Sequence, residues 1–381
     1  MHKVSLNYAI ATEAADGDSG DLHHPLVALL DAVHRSGSIS GAARELRLSY
    51  RHVWGELRRW EAQLDRPLVH WTKGQPAVLS PFGVKLLWAE RRARARLAPQ
   101  IDALRSELEL AFAVAFDDSA GLIPMHASHD EALPRLRELC QARHKLLLDI
   151  QFTSSLESLG ALQDGRCIVA GFHALENAPR GSATAAAYRA LLKPGRHKLI
   201  GFVRRTQGLM LAPGNPLSIA GLADLQRPGL RIVQRGPGTG TRLVLQELLR
   251  AAGMPALASD APVEVSHRAV AAAVASGSID AGFGIEAAAR AAGLDFIALA
   301  RERYFLVTLA AHLEDPRVQA LRSALQSPPW LEVLETIPGH AADESGQVLS
   351  LRRVLPWWSY RRAKASLSGS SSTCWSSSWH W

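Results

Sequence analysis

The segment from Ser36 to Trp60 constrains this chain most, because it sets two short helical patterns on either side of a tight turn and leaves a basic face on the second. Ser40 reads as a helix N-cap, and Gly41 to Leu46 carries small Ala42 and Ala43, which let another helix approach closely. The chain turns at Arg47-Leu48, and Ser49 caps a longer helix whose apolar Val53, Leu57, Trp60 and Leu64 share one side. Tyr50, Arg51, His52, Gly55, Arg58 and Arg59 face the other way, a set able to bond phosphates and reach base edges from the major groove. Ser38, Ser40 and Ser49, at the helix starts, complete the candidate DNA-contacting group.

An ordinary solvated helix can also carry Arg and His, so charge distribution decides between the readings. From His34 to Arg96 there are thirteen Lys and Arg against five Asp and Glu, a local excess of +8 in a chain whose total is +7. A positive face concentrated in this way is what contact with phosphates requires. Leu68 to Thr72 and Ala77 to Leu79 then read as two strands around a Lys73-Gly74-Gln75 turn, with the Lys73 tip placed to touch the DNA backbone. Ser80 caps a further helix with Pro81 in its first position.

Along that helix Leu97, Ile101, Leu104, Leu108, Ala111 and Ala115 recur at close to a 3.5-residue period, the pattern of a narrow helix-helix seam. The seam suits pairing of two chains, or packing on the chain's own second domain. Pro99 lies within it and predicts a kink or a restart.

Gly37-Ser38-Ile39-Ser40-Gly41-Ala42-Ala43, Leu48-Ser49-Tyr50-Arg51-His52-Val53-Trp54, the wing and Leu79-Ser80-Pro81-Phe82-Gly83 together resemble the winged helix-turn-helix of LysR-type and molybdate-responsive ModE-type bacterial regulators, the Ser-Tyr-x-x-x-Trp form being nearer the ModE type. The resemblance covers roughly residues 20 to 116.

With 381 residues, 47% hydrophobic and 21% charged, the chain has room for two or three domains with full cores. No apolar run is long enough to span a bilayer, and the first residues lack the pattern of an export signal, so a cytoplasmic protein is expected. Cys140, Cys167 and Cys374 have no metal-type spacing and read as filler thiols. No Walker loop, nucleophile elbow, dinucleotide fingerprint or metal-type His pair occurs, and no metal or organic cofactor is expected. An enzyme is disfavoured because Ser128 beside His129 sits at adjacent positions that point differently.

After Asp117-Asp118-Ser119 the pattern changes to short apolar strands alternating with Ala/Leu-rich helices, an α/β arrangement with parallel strands. Strands are expected at Leu122–Ala127, Leu146–Phe152, Cys167–Phe172, Leu199–Val203, Leu209–Ala212 and Arg231–Gln234. The last leads through Arg235-Gly236-Pro237-Gly238-Thr239-Gly240-Thr241-Arg242 into a long helix. Glycines there let backbone amides approach an anion, Thr239 and Thr241 add hydroxyls, and the helix aims its positive end at the same point. A plain glycine-rich turn is the competing reading. Ser128, Thr153-Ser154-Ser155 and Gly171-Phe172-His173 follow other strands, where ligands gather in open α/β sheets, although each serine can instead cap the next helix.

Together with Arg204-Arg205, Pro213-Gly214-Asn215-Pro216, Ser266-His267-Arg268 and Ala275 to Gly282, these motifs make residues 121 to 355 resemble periplasmic-binding-protein-like domains related to molybdate- and tungstate-binding proteins. The resemblance implies two α/β lobes of type II, lobe I at about 121–203 and 304–355 and lobe II at about 205–300. Ser128, Ser154, Ser155, Arg205, Thr239, Gly240, Thr241 and Arg242 would line the gap. Of the arginines, Arg205 or Arg242 is favoured over Arg235, and His173 and His267 are expected to bond within the domain.

The expected organisation is a flexible start (1–20), a winged helix-turn-helix (21–83), a linker and dimerisation helix (84–117), the two-lobed effector domain (121–355) and a disordered Ser/Trp-rich tail (361–381). It implies a homodimer or homotetramer on double-stranded operator DNA, switched by a small anion: molybdate or tungstate by resemblance, or a small carboxylate such as formate. A non-regulatory anion-binding protein is the alternative, and no membrane partner is expected.

Overall fold

The computed structural model describes residues 24–71, 76–116, 121–176, 180–257, 261–355 and 357. The expected flexible start, the Lys73 wing tip, Cys374 and the Ser/Trp-rich tail lie outside the described residues. Among those described, no helix is long and apolar enough to cross a membrane.

Helix α1 (Pro25–Ser36) buries Leu26, Leu29, Leu30 and Val33, and α2 (Ile39–Glu45) lays Ile39, Ala42 and Ala43 against it. The cap of α2 is Ser38, whose side chain accepts from Gly41 N at 2.9 Å. Ser40 is therefore not the cap but an exposed residue inside the helix, two positions past the cap. Arg47, with φ of 54°, makes the turn. Ser49 Oγ accepts from His52 N at 3.1 Å at the head of α3 (Tyr50–Leu64), which buries Val53 and Leu57 in the same core. The wing narrows to two-residue strands, β1 (Val69–His70) and β2 (Val78–Leu79), paired antiparallel.

Ser80 Oγ accepts from Gly83 N at 2.9 Å and starts α4 (Pro81–Phe116), one helix of 36 residues that runs through Pro99 without restarting. Leu97 and Leu104 of the expected seam are 40% and 49% exposed, so the chain's own second domain leaves them uncovered.

The second domain opens with β3 (Gly121–Ala127), α5 (Ala132–His144), β4 (Leu146–Phe152), α6 (Ser155–Gln163), β5 (Val169–Leu175) and α7 (Ala183–Leu191). Then β6 (His197–Leu211) joins the two stretches expected as separate strands into one of 15 residues. It is followed by β7 (Ile232–Arg235), α8 (Gly240–Ala251), β8 (Val263–Glu264), α9 (His267–Ala275), β9 (Ala281–Ile285) and α10 (Glu286–Ala291). The 15-residue β10 (Asp295–Leu309) returns the chain to α11 (Pro316–Gln326), α12 (Pro328–Glu335), β11 (His340–Ala342), β12 (Val348–Leu349) and α13 (Leu351–Val354).

The strand order β4-β3-β5-β10-β6-β9-β7-β8 explains the two lobes. Parallel β4-β3-β5 and parallel β9-β7-β8 form the flanks, and the antiparallel pair β6 and β10 passes through both, so the sheet is mixed where the sequence suggested parallel strands. β10 pairs with β5 over Glu302–Thr308, while β6 pairs with β9 over Gln207–Leu211. The crossover thus falls at Arg205–Gln207 against Ala300–Glu302, where β5 ends with Leu175 opposite Glu302 and β9 ends with Ile285 opposite Gln207. This is where open α/β sheets collect ligands.

Candidate functional sites

In the amino-terminal domain α3 exposes the expected face: Tyr50, Arg51, His52, Arg58 and Arg59 are all open to solvent, as are Ser40 and Ser49, with Ser38 half-buried. Ser38 and Ser49 use their hydroxyls as helix caps. Arg58 pairs with Glu61 at 3.0 Å and lies over the Trp54 ring, and Arg59 pairs with Glu56 at 2.6 Å. Those pairs hold both guanidinia along the helix surface.

At the crossover of the second domain lies a buried ionic floor. The Arg205 side chain, fully enclosed, donates through Nη1 to Asp130 Oδ2 at 2.6 Å and through Nε to Glu302 Oε1. Burial alone would raise the Glu302 carboxyl, but Arg205 and His173 bring it down to about 2. Asp130 is likewise held ionised against its burial, by His340 and Arg205. A buried charge pair of this kind is costly to break from one side. Arg205 is consequently a support under the site and not part of the lining proposed from the resemblance.

Above this floor the strand ends enclose a cavity of about 120 Å³. Ser128, Ser154, Ser155, Thr239, Gly240 and Thr241 all line it. Arg242 does not: its Nη1 donates to the Arg235 carbonyl at 3.3 Å. The arginine in the wall is Arg235, with His129, His173 and His267 beside it. The favoured pair of arginines is therefore displaced by the third.

Two helices point their amino ends into this space. Ser154 caps α6 in a reciprocal arrangement with Glu157, its side chain accepting from Glu157 N at 3.2 Å while Glu157 Oε2 accepts from Ser154 N at 2.9 Å. That leaves the Ser155 and Leu156 amides without an intrahelical acceptor. On α8 the N-cap Thr239 makes no side-chain cap, because its Oγ1 donates to the Gly236 carbonyl at 2.8 Å. The Gly240, Thr241 and Arg242 amides are left unfilled by the helix.

Gly240 is required by the approach of the lobes. A Cβ there would stand 2.4 Å from His173 Cε1, and His173 cannot retreat because its Nδ1 lies 2.7 Å from Glu302 Oε2.

The electrostatics of the wall are positive but modest. Burial and the neighbouring Arg205 lower Arg235 to about 10, which still leaves it charged at neutral pH. Burial, with Arg235 and Arg205 reinforcing it, holds His267 well below the ordinary imidazole value, and burial holds His173 down in spite of Glu302. Both imidazoles are neutral near pH 7. Arg235 Nε and the Nδ1 atoms of His129 and His267 are buried without a hydrogen-bond partner. Buried polar atoms left in that state are expensive unless a guest supplies the bonds.

The comparisons agree with this layout. Residues 136–326 match the model of the PBP superfamily domain, and residues 26–84 match that of the bacterial regulatory helix-turn-helix protein, lysR family. The chain belongs to the PBP superfamily and carries a LysR-type helix-turn-helix domain ahead of it.

It is 32% identical over 201 residues to the uncharacterized protein YvgK of Bacillus subtilis, a match covering 52% of this chain and 64% of that protein. It is 39% identical over 88 residues to the molybdenum-pterin-binding protein MopB of Rhodobacter capsulatus, covering 22% of this chain and 33% of that one. The chain thus spans less than two thirds of either curated relative. Among solved structures it resembles the full-length LysR-type regulator LysG from Corynebacterium glutamicum with bound effector Arg (17% identity, TM-score 0.38, 78% of this chain and 95% of that chain). It also resembles the probable transcriptional regulator PA0477 from Pseudomonas aeruginosa (18% identity, TM-score 0.39, 78% and 95%).

Proposed function

We propose that this chain is a non-catalytic, ligand-responsive bacterial transcriptional regulator that reads operator DNA with α3 and senses a compact oxyanion at the crossover of its second domain. The observation that carries the reading is the convergence of the open α6 and α8 amino ends with Arg235 on one small cavity. Helix amino ends favour negative charge, and a preformed ring of amides replaces the water an anion gives up on entry. A space of about 120 Å³ suits a guest with a handful of heavy atoms.

Molybdate or tungstate is the favoured effector. The resemblance of the domain points that way, and so does the stretch shared with a relative whose name carries a molybdenum-pterin ligand. Formate or another small carboxylate is the second reading, supported by the same amides and the Arg235 guanidinium in the wall. Exposed Leu97 and Leu104 on α4 fit a homodimer or tetramer, as paired operator half-sites require. A thermal-shift panel of molybdate, tungstate, sulfate, phosphate and formate tests the sensor half, because a ligand that binds only the folded state raises its melting temperature. A rise with molybdate or tungstate is expected; no rise with any anion contradicts the reading.

A further inference from the structure

Pro99 stands inside α4 and also lines the cavity, so the linker helix and the candidate ligand share a wall. A proline has no amide, which frees the carbonyl four residues earlier. That carbonyl, Ala95 O, accepts instead from Ser266 Oγ at 3.1 Å. Ser266 in turn caps α9, its Oγ accepting from Ala269 N at 3.0 Å. Arg96 lays its fork on the next anchor, Nε and Nη2 donating to the two Glu264 oxygens at 2.8 and 2.6 Å. At the far end of α9, Arg92 donates to Ser276 Oγ at 2.7 Å and to Ser278 Oγ.

One stretch of chain, Glu264 to His267, separates this clasp from the cavity. β8 ends at Glu264, the chain bends through Val265 and Ser266, and His267 opens α9, so neighbouring side chains leave the stretch on different sides. Glu264 and Ser266 hold α4, whereas Val265 and His267 line the cavity. The stretch is also tied to the charged group of the wall: Arg235 Nη1 donates to the Glu264 carbonyl at 3.1 Å, and β7 pairs with β8 in the register Arg235 to Glu264. A guest that draws Arg235 or His267 toward itself therefore pulls on backbone lying between two α4 anchors. Movement of α4 reaches the DNA-reading domain directly, since Arg91 of α4 is ion-paired with Asp31 of α1.

We propose that the two-faced stretch Glu264–His267 is the coupling element by which an anion in the cavity changes how α4 is seated. The proposal rests on the anion-binding reading above and adds the route. For a ligand to act through it, the ligand must bind the two seatings unequally.

The test is hydrogen exchange of the full chain with and without molybdate or formate, each titrated calorimetrically in parallel. In the wild type, amides between residues 90 and 100 should change exchange rate by about fivefold or more on ligand addition, the low end of ordinary coupling between sites. Arg96→Gln removes the fork from its half-exposed side; it should bind the anion within about threefold of wild type and lose the change in α4. Glu264→Gln, which keeps the backbone anchor of Arg235, should behave alike and serves as the second variant should either fail to fold. Ligand binding by the wild type with unchanged exchange in α4, or a full response in both variants, overturns the coupling alone. An absence of heat with both anions removes the anion-binding reading, and the coupling with it.

Discussion

Gly240→Ala measures how tightly the two lobes meet at the site. The added methyl would stand 2.4 Å from His173 Cε1 and 2.6 Å from Nε2, both well inside contact distance. The ring is 3% exposed and fixed by Glu302, so the helix must back away instead. Overpacking of this kind costs about 1–3 kcal/mol, and each kcal/mol shifts the melting point by about 2–4 °C for a domain of this size. Retreat of α8 also withdraws its amides from the cavity. If anion affinity falls about tenfold, a ligand present at about 100 times the wild-type Kd adds only about 1.4 kcal/mol of stability where the wild type gains about 2.7. Gly236→Ala is the internal control, because its methyl would meet only Val263 Cγ1 at 3.8 Å. Thermal and urea melts of the three proteins, with and without molybdate, read both effects. Should Gly240→Ala melt with the wild type and keep its full ligand increment while Gly236→Ala does the same, the close approach of α8 to His173 is wrong.

Arg235→Gln should weaken anion binding by about 1.5–3 kcal/mol, the worth of a hydrogen bond to a charged group, with the urea midpoint little changed; calorimetry that finds equal affinity argues against a role for this guanidinium. Arg51→Gln should lower the slope of log affinity for DNA against log salt by about 0.9 if Arg51 meets one phosphate. It should leave the ligand-induced melting shift intact; an unaltered salt slope places that side chain off the duplex. Acid sensitivity follows from the imidazoles. His267 and His173 have folded values below the 6.5 of the free side chain, so the unfolded chain binds more protons just below that pH. Stability should therefore fall as pH drops through this window, by at most about 1.4 kcal/mol per pH unit for each group, and gain nothing from them above it. His340, held up by Asp130 against its burial, works in the opposite sense. Urea melts that show equal stability at about pH 7.5 and about pH 5.5 would count against neutral buried imidazoles.

The sequence made the order of elements legible because local signals carried it. Ser49 before α3, Ser80-Pro81 before α4 and the glycines before α8 act through bonds to their own neighbours. What escaped depended on distant partners. Ser38 and Ser40 are equally good caps in isolation, and the choice is made by Ile39, which must be buried on α1 and so must already be helical. The sequence splits β6 into Leu199–Val203 and Leu209–Ala212; in the fold a Cβ at Gly208, between them, would meet the Ile297 carbonyl at 2.0 Å, and the glycine permits the close pairing with β10.

Arg204 and Arg205 are neighbours of identical type, yet alternation along β6 leaves the side chain of the first 46% exposed and buries that of the second. The carboxylates that claim Arg205 lie 75 and 97 residues away. No local pattern announces such partners. The cavity wall was foreseeable at the serines and threonines, since they follow strand ends, but not at Pro99, which reaches the site only because α4 docks on α9.

The most direct measurement of the central claim is anomalous diffraction at the molybdenum edge from crystals of the protein grown with molybdate. A single strong peak between the α6 and α8 amino ends, within hydrogen-bonding reach of the Gly240 and Thr241 amides and of Arg235, is the expected result. A cavity without metal signal at saturating molybdate, or a peak bound elsewhere on the chain, would contradict it.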